Sequence, residues 1–61
     1  MEQATAGELR PAAAAAILGI TVKELRRASD RKDIPVKRWT FGGERRYDRD
    51  TIERIARERA S

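Results

Sequence analysis

Lys23, Arg26, Arg27 and Asp30 are spaced three and four residues apart. On a helix that spacing gathers side chains onto one face, and Arg31 extends the basic run. Lysine and arginine can each donate to O6 and N7 of guanine, and guanidinium grips phosphate through a fork of N–H groups. The chemistry within reach of this set is recognition of a polyanion and its base edges. Lys23 and Arg27 are the candidates for guanine readout, and Arg26 and Arg31 for phosphate. Glu24 has two roles open to it: accepting from a cytosine amino group, or capping the helix. An ordinary solvated helix face would carry the same pattern.

A second basic element lies downstream. Arg38, Arg45 and Arg46 flank a turn signal, Gly42-Gly43, with Thr40 beside it and Phe41 its only bulky side chain. Such a tip can lie against a nucleic-acid backbone or enter the narrow minor groove, where arginine is favoured electrostatically. A hairpin whose arginines merely snorkel is the plainer alternative.

Catalysis finds little support. There is no histidine and no cysteine, which removes the commonest general base, the commonest metal ligand and the strongest nucleophile. Asp30 and Asp33 fall near a helix end, and Asp48 and Asp50 near a helix start, where carboxylates act as caps and ion-pair partners. Gly42-Gly43 lacks the Lys-Ser/Thr that a phosphate loop needs. No enzyme, metal, cofactor or small-molecule ligand is expected.

Composition points the same way. The 61 residues carry a net charge of +4, and arginine outnumbers lysine by eleven to three. This balance suits nucleic acid, although a GC-rich genome would also raise arginine and alanine. The length allows one small domain. The lack of cysteine fits a reducing cytoplasm. No apolar run approaches the roughly 20 residues of a membrane span. The first eight residues hold two acids and no base, unlike a signal peptide.

The elements that must position these side chains can be read in order. Residues 1–8 are polar and aperiodic, and read as a flexible tail; residues 9–61 form the domain. Leu9 to Leu18 reads as a helix, with Pro11 in its first turn, an alanine run in its body and Ala14, Ile17 and Leu18 inward. Gly19 ends it where positive φ is cheap. Thr21 to Glu24, "TVKE", is a capping box, so a second helix starts at Val22. Leu25, Ala28 and Ser29 form its inner stripe, and Pro35 stops it near Lys32. Helix, Gly19-Ile20-Thr21 turn, helix is a helix-turn-helix pattern, with Leu9, Ile17, Ile20 and Leu25 filling the gap.

"VKRWTFGGERRY" then reads as a β-hairpin. Two registers are open, and a three-residue loop, Phe41-Gly42-Gly43 with Gly43 left-handed, is preferred because it places Trp39 and Tyr47 on one face. That leaves Arg38, Thr40, Glu44 and Arg46 outward. A last helix follows, capped by Asp48, with Ile52, Ile55 and Ala56 inward. The expected fold is mainly α with a small β-hairpin. Its expected core is Leu9, Ala14, Ile17, Leu18, Ile20, Leu25, Ile34, Trp39, Tyr47, Ile52 and Ile55.

By Tyr47 the pattern "LRPAAAAAILGITVKELRR…DIP…GGERRYDRDTIERI" resembles the winged helix-turn-helix DNA-binding proteins of the MerR and excisionase superfamily. The landmarks are Leu9, Ala14, Leu18-Gly19-Ile20-Thr21, Leu25-Arg26-Arg27, Ile34-Pro35, Arg46-Tyr47 and Ile52. The resemblance implies that the second helix reads the major groove and that the hairpin is a wing on the flanking minor groove or backbone. It assigns DNA contact to Thr21, Lys23, Arg26 and Arg27, then to Arg38, Arg45 and Arg46. Tyr47 would be part core and part phosphate contact. A glycine common in the family near Lys32, and an acid near Ala13, are missing here, which leaves the end of the second helix open.

With Ser61 as its last residue, the chain is expected to lack the long dimerisation helix and effector domain of MerR-type regulators. The resemblance is therefore read as nearest to a free-standing excisionase, or recombination directionality factor, of a phage. Such a protein binds adjacent sites, bends DNA and helps an integrase excise the element. The expected partners are double-stranded DNA, neighbouring copies and a phage integrase, in the bacterial cytoplasm at the nucleoid and away from any membrane. A small MerR-like transcriptional regulator is the alternative within the fold. A protein-interaction adaptor without DNA binding is the alternative outside it.

Overall fold

The computed structural model describes residues 7–60. Their elements are β1 (Glu8–Leu9), α1 (Pro11–Leu18), α2 (Val22–Asp30), β2 (Arg38–Trp39), β3 (Arg45–Asp48) and α3 (Arg49–Ala60). The strands form one antiparallel sheet in the order β1-β3-β2. This is the expected mainly α fold with a small hairpin, and it gains one short strand. Most of the expected tail lies outside the described residues. Glu8, placed in that tail by composition, instead pairs with Asp48, and Leu9 pairs with Tyr47.

Leu9 therefore belongs to a strand, not to the first helix. Arg10 precedes a proline, which disfavours helical backbone there, and it is extended at ψ 160°. The helix begins one residue later with Pro11. At its other end Gly19 adopts φ 72°, and the N–H groups of Gly19 and Ile20 donate to the carbonyls of Ala16 and Ala15. The capping box is complete: the Glu24 N–H donates to Thr21 Oγ1 at 3.0 Å, and the Thr21 N–H donates to Glu24 Oε1 at 2.9 Å. The second helix ends at Asp30, short of Lys32. Lys32 itself takes φ 67°, so a lysine holds the left-handed position that glycine would fill most cheaply.

The hairpin has the expected register. Arg38 opposes Arg46 and Trp39 opposes Arg45, around the loop Phe41-Gly42-Gly43 with Gly43 at φ 87°. Thr40 closes it: its N–H donates to the Glu44 carbonyl, its carbonyl accepts from Gly43, and its Oγ1 accepts from the Glu44 N–H.

Leu9, Ala14, Leu18, Leu25, Ile34, Tyr47 and Ile52 are buried as expected, joined by Ala15, Ala28 and Ser29. Ile20 and Ile55 are half-buried against this core. Two expected core residues are not in it. Ile17 is 36% exposed, because α1 turns Ala14, Ala15 and Leu18 inward and the alanine run carries no periodicity to reveal that phase. Trp39 is 56% exposed. It shares a face with Tyr47, but β3 is the strand that packs on α1 and α3, whereas the main partner of β2 is β3.

Three carboxyls are held below their usual range: Glu24 by the Thr21 N–H, Glu44 by the Arg46 guanidinium, and Asp48 by the Thr51 N–H that it caps. A group with a lowered folded pKa stabilises the fold above its unfolded pKa and loses that effect as pH falls through the folded one. The ordinary values are 4.5 for Glu24 and Glu44 and 3.8 for Asp48. The melting temperature is therefore expected to hold from neutrality down to about pH 5 and to drop steadily below it. Melts followed by circular dichroism between neutral and strongly acidic pH check this. In the same assay Thr21→Ala, which removes one half of the capping box, should lower stability by about 1 kcal/mol at neutral pH.

Candidate nucleic-acid interface

The turn at Gly19 and the cap at Thr21 fix where α2 begins, and Leu25, Ala28 and Ser29 fix which side it buries. The rest follows from the helical repeat. Thr21, Lys23, Glu24, Arg26, Arg27, Asp30 and Arg31 are all exposed. Among the described residues Lys23, Arg26 and Arg27 have no carboxylate within salt-bridge distance, whereas Arg31 pairs with Asp33 at 3.0 Å. Glu24 is the cap, its carboxylate engaged by the helix start. Asp30 turns toward the hairpin and accepts from Arg45 at 2.6 Å.

The hairpin arginines are in a different condition. Arg38 makes a two-pronged pair with Glu8, at 2.6 and 2.9 Å. That pair raises its pKa further. Arg45 holds Asp30, and its guanidinium lies 4.6 Å from the centre of the Trp39 ring; its Nε is buried without a hydrogen-bond partner among the described residues. Arg46 is ion-paired with Glu44. Each expected wing cation is thus neutralised by a carboxylate of the same chain, and Arg45 lies inward as a clamp between β3 and α2. Thr40 serves the turn, and Gly42 and Gly43 form the exposed tip.

Tyr47 takes the core half of its expected role. It is fully buried and so is no phosphate contact. Its hydroxyl lies 2.7 Å from Ser29 Oγ. Ser29 spends its own proton on the Leu25 carbonyl at 2.9 Å, so Tyr47 donates and Ser29 accepts. Two bonds therefore tie β3 to α2, one buried (Tyr47–Ser29) and one at the surface (Arg45–Asp30), and they hold hairpin and helix at a set distance. Ser29 escaped the sequence reading as an interaction residue because a serine on an inward stripe has no local partner to betray it.

This order of helix, turn, helix, two-stranded wing and helix is a winged helix-turn-helix. The profile of the MerR HTH family regulatory proteins matches residues 9–60. The chain belongs to the MerR helix-turn-helix family. No curated protein and no solved structure gives a significant match. The MerR HTH class binds double-stranded DNA and regulates; it is not enzymatic.

In this MerR-family domain the face open to a polyanion is that of α2. It widens on the side of α3, where Arg59 joins Arg27 and Arg31 around a shallow hollow. Sequence reading missed Arg59 as part of this face because only the packing of α3 brings it there. On the other side a second hollow, lined by Val22, Arg26, Gly43 and Glu44, runs between α2 and the wing. Among the described residues no three potential metal ligands come together, and no helix is long and apolar enough to cross a membrane.

Proposed function

We propose that this MerR-family protein binds duplex DNA sequence-specifically, with α2 in the major groove and the wing on the flanking groove or backbone, and acts as an architectural factor of the excisionase type. The observation that carries DNA contact is the exposed trio Lys23, Arg26 and Arg27, unpaired among the described residues, along the open face of the helix that reads bases in this fold. Lys23 and Arg27 read guanine; Arg26 and Arg31 hold phosphate. Asp30 and Arg45 orient the two elements against each other. Among the described residues α3 presents Arg54, Arg57, Glu58 and Arg59 to solvent and no apolar seam for a second copy. This supports copies arranged by adjacent DNA sites, where avidity replaces a preformed dimer. A phage integrase would then supply the chemistry of excision, and this chain the DNA geometry.

A second reading, a small transcriptional regulator, is favoured by the description of the matched family as regulatory. An excision assay with the integrase, run beside transcription from the neighbouring promoter, separates the two. Excision that proceeds equally well without this protein overturns the architectural role and leaves the regulator.

Salt titration of binding is the second test. Each neutralised phosphate contributes a slope of about −0.9 in log affinity against log salt. Phosphate contacts by Arg26 and Arg31 predict about −2, and three wing arginines that left their carboxylates would steepen it towards about −4.5. Salt-insensitive binding, or none, overturns DNA contact and returns the chain to the adaptor alternative.

A further inference from the structure

Phe41 is the most exposed large apolar side chain of the domain, at 109% of its reference surface. The turn does not need it. Gly43 supplies the left-handed residue and Thr40 closes the loop on both sides, so a polar residue would serve at position 41 equally well. A phenylalanine ring left in water gains a large apolar contact only when something else covers it.

The surroundings say what that is. The wing's three arginines are each engaged by a carboxylate, Glu8, Asp30 or Glu44, so the tip's own contribution is apolar. Beside Phe41 the tip is thin: a Cβ added at Gly42 or Gly43 would meet nothing within 4 Å. The minor groove is narrow, about 6 Å across, and such a tip fits it. The hollow lined by Val22, Arg26, Gly43 and Glu44 joins the tip directly to the cationic side of α2. A duplex held by Lys23, Arg26 and Arg27 has its flank at the wing.

We infer that Phe41 is a wedge: its ring inserts from the minor groove at a base step beside the α2 site, partly unstacks it and kinks the duplex. Apolar wedges of this kind bend DNA by roughly 20–90°. The inference rests on the DNA-binding reading above and adds to it the residue that makes the bend. Pyrimidine–purine steps, the most easily unstacked, are the steps it takes.

The test uses short duplexes selected for binding from a randomised pool, labelled at both ends for energy transfer and carrying 2-aminopurine at one position at a time. Wild-type protein should raise 2-aminopurine emission several-fold at one step flanking the site and bring the ends closer. Phe41→Ala should abolish both signals while keeping the salt slope and the circular dichroism spectrum. Phe41→Leu should keep part of each. Binding without an emission rise at any position, or an unchanged rise in Phe41→Ala, overturns the wedge and leaves DNA binding standing. Absence of salt-sensitive binding by the wild type overturns both. Sedimentation without DNA completes the set: self-association of the wild type that Phe41→Ala removes would make the tip a contact between copies, and the wedge would be wrong.

Discussion

Arg27→Ala is expected to weaken binding to a selected duplex by about 5- to 150-fold while changing affinity for random duplex far less, since a bidentate pair with guanine is worth about 1–3 kcal/mol of discrimination. The side chain is exposed and free of an ion pair among the described residues, so its removal leaves folding within about 0.5 kcal/mol. Loss of binding therefore reports on contact and not on the fold. Arg26→Ala is the companion. As a phosphate contact it should weaken every sequence alike and make the salt slope shallower by about 1. Competition titrations of both variants against selected and random duplexes, at two salt concentrations, check the pair. If Arg27→Ala weakens all sequences equally, guanine readout by Arg27 is wrong, although phosphate contact by the same residue survives.

The largest effect on stability is expected at Leu25. It is wholly buried in the core, on the face of α2 that packs against α1. A buried leucine cut to alanine costs about 2–5 kcal/mol, and a domain of 61 residues has in all about 3–9 kcal/mol to lose. Leu25→Ala should leave a large share of the chain unfolded at body temperature and lower the urea midpoint accordingly. Tyr47→Phe keeps the ring in place and removes only the bond to Ser29, at a cost of about 1 kcal/mol. A two-state melt of Leu25→Ala within about 0.5 kcal/mol of wild type would mean that this leucine is not central to the core.

The local devices of this fold are legible in its sequence. The Thr21–Glu24 box, the stop at Gly19, the left-handed Gly43 and the Asp48 cap all join groups five or fewer positions apart. Their chemistry is settled by near neighbours, and each stands where reading predicted. The exposed face of α2 was legible for the same reason, since a helical repeat carries the position of one side chain to the next. The alanines of α1 were not: a run of identical residues has no phase, and Ile17 was turned inward in reading and outward in the fold.

The register of the wing was legible, and the long-range ion pairs of its arginines were not. Nothing near Arg38, Arg45 or Arg46 announces a carboxylate for the first two of them. Glu8 lies thirty positions from Arg38, and Asp30 fifteen from Arg45. Ser29 and Tyr47 are eighteen apart. The chain by itself determined the helix-turn-helix, the turn of the wing and the cations on α2, because those depend on short-range geometry and periodicity. Only the tertiary structure decided that Arg38 and Arg45 are spoken for and that Tyr47 is an anchor, because partners brought together by folding leave no mark on the residues beside them.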